Sequence, residues 1–106
     1  MTETEFLNLI DATLSQIEHA FELAGQSNDL DVECNRHNSL LEIEFLHNQS
    51  KIIVSTQTAM RELWVAAKSG GFHYKYDGQC WRNTRDNSEL MMTLKEIALN
   101  QGGLMI

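Results

Sequence analysis

From residue 4 to about residue 24 the apolar positions follow a helical beat. Phe6, Leu9, Ile10, Thr13, Leu14, Ile17, Ala20, Phe21 and Ala24 recur at spacings of three and four, with no Pro or Gly among them. This predicts an amphipathic helix, capped at its start by Thr2 or Thr4 and closed by Gly25 in a left-handed cap. At about 100° per residue, Asp11, Glu18 and Glu22 fall within an arc of about 40° along one border of the apolar stripe. After Gln26-Ser-Asn28 the beat changes to two. Leu30, Val32 and Cys34 alternate with Asp29, Asp31 and Glu33, which predicts a strand with one apolar and one acidic face. Leu41–Phe45 alternates in the same way after a turn at Arg36–Ser39.

Further short strands follow at Lys51–Ser55, Leu63–Ala67, Phe72–Tyr76 and Cys80–Thr84. They are separated by His47-Asn-Gln-Ser50, Gly70-Gly71 and Asp77-Gly78, the punctuation of an antiparallel meander. One of Asp86, Asn87 or Ser88 is expected to cap a last helix, whose face carries Leu90, Met91, Leu94, Ile97 and Ala98 and which ends at Gly102-Gly103. The order helix, about six strands, helix fits a single α+β domain over residues 1–106. Both helices would lie on one face of an antiparallel sheet, leaving the other face to water or a partner.

Charge changes the picture because it is unevenly placed. Residues 1–44 hold ten acids and one base, Arg36, a balance of −9; the remainder holds five acids and seven bases, within a total of −7. Such an acidic half repels nucleic-acid phosphates and attracts cations or basic protein surfaces. No apolar run approaches the roughly 18–20 residues of a membrane span, and Glu3 and Glu5 precede any basic residue, the reverse of a secretory or transit signal. Cys34 and Cys80 are far apart, with no C-x-x-C, and are expected to be reduced thiols of a cytoplasmic protein.

Leu63-Trp-Val-Ala-Ala-Lys-Ser-Gly-Gly-Phe-His-Tyr74 resembles the signature of the frataxin family, in its bacterial CyaY form. The likeness takes in Gln49-Ser-Lys-Ile-Ile53 and Gln57 upstream, and Asp77-Gly78, Trp81 and Thr84-Arg-Asp86 downstream. With the acidic border of the first helix and the Asp31/Glu33 strand, it spans essentially the whole chain. The resemblance implies the two-layer fold above and an acidic ridge on the first helix and first strand that binds Fe²⁺ and Fe³⁺. It also implies service in iron–sulfur cluster assembly, through contact with the cysteine desulfurase and its scaffold partner. Here the ridge is thinner than the family pattern, since the end of the first helix reads Leu23-Ala-Gly-Gln-Ser-Asn28 and His19, a surface residue, stands beside Glu18.

The expected ridge comprises Asp11, Glu18, Glu22, Asp29, Asp31 and Glu33. Carboxylates are hard ligands suited to iron and other hard divalent cations, and a site without clustered thiols or imidazoles binds weakly and exchangeably. The same charges suit docking on a basic patch of the desulfurase, and the residues do not separate the two uses. Trp64, with His73 and Gln57, is expected on the sheet face away from the helices as a protein-contact anchor, and the resemblance implies that this surface meets the scaffold protein. Trp81 reads as structural. Cys34, among acids, should have a raised pKa. No catalytic constellation or phosphate loop appears, and a weak ferroxidase activity finds no paired Glu-x-x-His helices to support it. The expectation is therefore a non-enzymatic iron donor or regulator, monomeric without iron. The alternative is a pure interaction module that inhibits the desulfurase and binds iron incidentally.

Overall fold

Thr2 begins the first helix, α1 (Glu3–Ser27), with a capping box. Its hydroxyl accepts from the Glu5 backbone N–H while the Glu5 carboxylate accepts from the Thr2 N–H. The Thr2 backbone N–H, helped by the Thr2 hydroxyl, holds the exposed Glu5 carboxyl below its usual range. The computed structural model describes residues 1–106. Contrary to expectation, Gly25 does not end α1 but lies within it. A methyl group there would press on the Leu30 carbonyl and the Val32 side chain, so the glycine permits close approach of helix and strand, and Asn28 forms the C-cap.

Six strands follow: β1 (Val32–His37), β2 (Leu40–Phe45), β3 (Ser50–Gln57), β4 (Glu62–Ala67), β5 (Gly70–Tyr76) and β6 (Trp81–Asn83). They pair antiparallel in sequence order, so the meander is complete and β1 and β6 are the edges. The first strand starts later than its alternation suggests. Asp29 adopts a left-handed φ of 54°, and the Leu30 N–H donates to the Gly25 carbonyl, spending residues 28–31 on the connection. The last helix, α2 (Leu90–Gly102), is capped by the Glu89 carboxylate, which accepts from the Met91 N–H. Residues 86–88 form their own turn instead, with the Ser88 N–H and hydroxyl both donating to Asp86 Oδ1. Gly103, at φ 64°, supplies the left-handed cap.

Period and register together build the core. Phe6, Ile10, Leu14, Ile17 and Phe21 of α1, and Leu90, Leu94, Ile97 and Ala98 of α2, are buried against Leu41, Ile43, Phe45, Ile52, Val54, Leu63, Val65 and Tyr74. Both helices thus cover the same sheet face. Trp81 is core, as expected: its ring packs edge-on against Phe6, centroids 6.2 Å apart, and its indole donates to Thr13 Oγ1 at 3.1 Å. The Thr13 hydroxyl in turn donates to the Leu9 carbonyl, so a buried polar chain runs from sheet edge to helix. The Tyr74 hydroxyl is the one buried side-chain polar atom without a hydrogen-bond partner, and burial pushes its pKa up.

Candidate functional site

Two surfaces carry the residues singled out from the sequence. The first is the edge where α1 meets β1. Val32, Cys34 and Arg36 of β1 lie opposite Phe45, Ile43 and Leu41, so they share the helix-facing side. Glu33 takes the other side and, like Asp29 and Asp31, is exposed. Because β1 is an edge strand, its outer rim and the α1 C-terminus meet. Glu22, Asp29, Asp31 and Glu33 line one depression of about 430 Å³, floored by Gly25, Leu30 and Val32. Glu18 lies one turn back along α1.

None of these five carboxylates forms an ion pair, and Arg36 and Lys51 are engaged by Asp11 and Glu42 instead. Cys34 records that field. Burial, then Glu22 and Glu18, push its thiol from an ordinary 9.0 to about 12. It is an inert thiol in an anionic setting.

Asp11 has a different role. Its Oδ1 accepts from Arg36 Nη2 at 2.6 Å, while Arg36 Nη1 donates to Ser15 Oγ at 2.9 Å and Nε to the Asn38 carbonyl at 3.2 Å. The only base of residues 1–44 thus ties α1 to the β1–β2 turn, and Asp11 stands apart from the other five acids. No three His, Cys, Asp or Glu side chains converge closely enough to hold an ion. The acidic edge is a diffuse anionic surface rather than a chelate.

The second surface is the sheet face without helices. Ser55, Trp64 and His73 are direct partners across β3, β4 and β5, and Leu63 and Val65, flanking Trp64, are buried on the opposite side. The Trp64 and His73 rings are stacked, centroids 4.3 Å apart and planes within 7°. Beneath them sits Glu62, only 4% exposed, whose Oε1 accepts from the Trp64 indole at 2.8 Å. Its two oxygens lie 3.8 Å from His73 Nδ1 and 4.0 Å from Lys75 Nζ. Gln57 is the direct partner of Glu62 on β3, so all three expected contact residues lie on one patch. Trp64 is half-buried rather than fully exposed.

Sequence reasoning missed Glu62 because it started this strand at Leu63. Its alternation with Trp64 was the available signal. A larger cleft, about 970 Å³, opens between α2 and β5–β6. Two of its polar groups serve the fold: Gln101 bonds the Lys68 N–H and the Lys51 carbonyl, and Glu89 caps α2.

The frataxin-like domain profile matches residues 1–103, and with the two-helix, six-strand architecture it places this chain in the frataxin family. Within that family it is similar to the iron-sulfur cluster assembly protein CyaY of Janthinobacterium sp. (strain Marseille), at 57% identity over 104 residues. That alignment covers 98% of this chain and 93% of the relative. Its likeness to the same-named protein of Herminiimonas arsenicoxydans is 55% identical with the same coverage. In three dimensions it matches the frataxin from Psychromonas ingrahamii with a TM-score of 0.82 at 27% identity, covering all of this chain and 96% of that one. No helix is long and apolar enough to cross a membrane.

Proposed function

We propose that this protein serves iron–sulfur cluster assembly in the cytoplasm as a non-catalytic adaptor. Its acidic α1–β1 edge attracts Fe²⁺ or Fe³⁺ weakly and docks on the cysteine desulfurase, and its Trp64 face meets the scaffold on which clusters are built. The observation that carries this reading is the set of five unpaired carboxylates, Glu18, Glu22, Asp29, Asp31 and Glu33, on one edge. Like charges held together without a compensating base gain nothing from the fold and favour an external cation or basic surface. The names of the curated relatives support the pathway; the charge pattern supports the mode of action.

A second reading is favoured by the lack of any three converging ligands. On it, the edge is an interaction surface that inhibits the desulfurase, and iron binding is incidental. Calorimetry separates the two, using wild type and Asp31→Lys/Glu33→Lys titrated with Fe²⁺ under anaerobic conditions and with purified desulfurase. The adaptor reading requires both affinities to fall together. Loss of desulfurase binding with unchanged Fe²⁺ affinity removes the iron role. Oxygen consumption with Fe²⁺ no faster than in buffer is the expected outcome for a protein without ferroxidase activity.

A further inference from the structure

Glu62 is a carboxylate 4% exposed on a sheet face that no helix covers. Burying a charge is costly unless it is paired and hydrogen-bonded. Here the charge faces Lys75 and His73 from β5, and Gln57 from β3, while Arg82, opposite Lys75 on β6, is engaged by Asp77. The Trp64 indole N–H supplies its short hydrogen bond. Three constraints therefore act on one ring: a donor bond to Glu62, a parallel stack on His73, and the β4 backbone between its partners Ser55 and His73. A half-buried tryptophan without such ties would sample several rotamers.

We propose that Glu62 is a positioning residue, holding Trp64 in the pose in which it meets the scaffold protein. This rests on the reading of the Trp64 face as the scaffold-docking surface. An anchor fixed before contact loses little side-chain entropy on docking, so a buried acceptor beneath it raises affinity without touching the partner. The partner this fits has a slot for the edge of a fixed indole ring, bordered by groups that can meet the ammonium of Lys75 and the amide of Gln57.

The test uses four folded variants: Glu62→Met, which keeps the volume but removes the acceptor; Glu62→Gln, which keeps an acceptor; Trp64→Phe, which keeps a ring to stack on His73; and the double Glu62→Met/Trp64→Phe. Two quantities are measured: hydrogen exchange of the Trp64 indole N–H in the free protein by NMR, and affinity for purified scaffold protein. A hydrogen bond to a carboxylate is strong enough that Glu62→Met should speed indole exchange and weaken scaffold binding about tenfold each. Glu62→Gln should remain within about threefold of wild type in both, and Glu62→Met should cost less than about twofold in the Trp64→Phe background. Unchanged indole exchange in Glu62→Met overturns the proposal. So does an equal loss of affinity in both backgrounds, which would make Glu62 a contact in its own right. Should wild type not bind scaffold at all, the docking reading falls, while indole exchange still decides whether Glu62 positions the ring.

Discussion

Glu33 and Glu44 are direct partners across the β1–β2 ladder and project from the same sheet face. Lys51, which sits opposite Glu44 on the other side, gives its ammonium to Glu42 at 3.3 Å, so the Glu33–Glu44 pair is left facing itself. Like charges directly opposite cost a few tenths to about 1 kcal/mol, and an opposite pair returns a similar amount. Glu33→Lys should therefore stabilise the protein by about 1 kcal/mol at low salt. For a domain of this size that raises the melting temperature by about 4 °C or somewhat more. Scanning calorimetry in about 20 mM and 1 M salt checks both sign and origin, because a Debye length of about 3 Å at 1 M removes most of a surface charge effect. A gain present at low salt and absent at high salt would show the edge acids kept at a cost to the fold. A loss of stability, or a gain indifferent to salt, would refute the electrostatic account of that edge.

Four other outcomes follow from the packing and the charge around Cys34. Gly102→Ala should destabilise, because its Cβ would overlap the Phe45 ring; overpacking of about 1–3 kcal/mol outweighs the roughly 1 kcal/mol that alanine gains in a helix, and urea titration reads the difference. Trp81→Phe should cost about 1–3 kcal/mol by the same assay, through loss of the bond to Thr13 and of ring volume at the Phe6 contact. Cys34, with its folded pKa at about 12, should react at pH 8 about a hundred- to a thousandfold more slowly with a thiol reagent in the native protein than in urea. Because that pKa is raised, the stability it contributes is complete below the ordinary value of 9.0 and is lost as pH rises towards 12; unfolding followed between pH 8 and 11 should show the decline.

The fold was legible where a single period ran uninterrupted. The 3.6 beat from Phe6 to Ala24 located α1, and the two-residue alternations placed Trp64 and His73 on one side and Leu63, Val65 and Tyr74 on the other. Boundaries failed where one residue type serves two purposes. Gly25 has the composition of a helix stop but stands where the strand packs closest, and Asp86 to Ser88 have capping side chains that a local turn consumes first.

In the site, the acids on one helix arc were visible in the spacing, but the expected strand face holds only Glu33, since Asp29 and Asp31 lie in the connection before β1, and pairing was not visible at all. Whether Arg36 reaches Asp11, 25 residues away, depends on where the β1–β2 turn falls beside α1, which no local pattern encodes. Glu62 was hidden for a related reason. A carboxylate at a strand start reads as solvated until the neighbouring strands bring His73 and Lys75 to it.

As an iron-binding edge, the C-terminal end of α1 and the approach to β1 would hold the cation weakly. An anaerobic Fe²⁺ titration of the ¹⁵N-labelled protein, followed amide by amide, tests this most directly. Paramagnetic broadening should centre on residues 18–22 and 29–33, spare the Arg36-bound Asp11 until later additions, and leave Trp64 and His73 sharp. Broadening centred on His73, or spread evenly over the molecule, would contradict it.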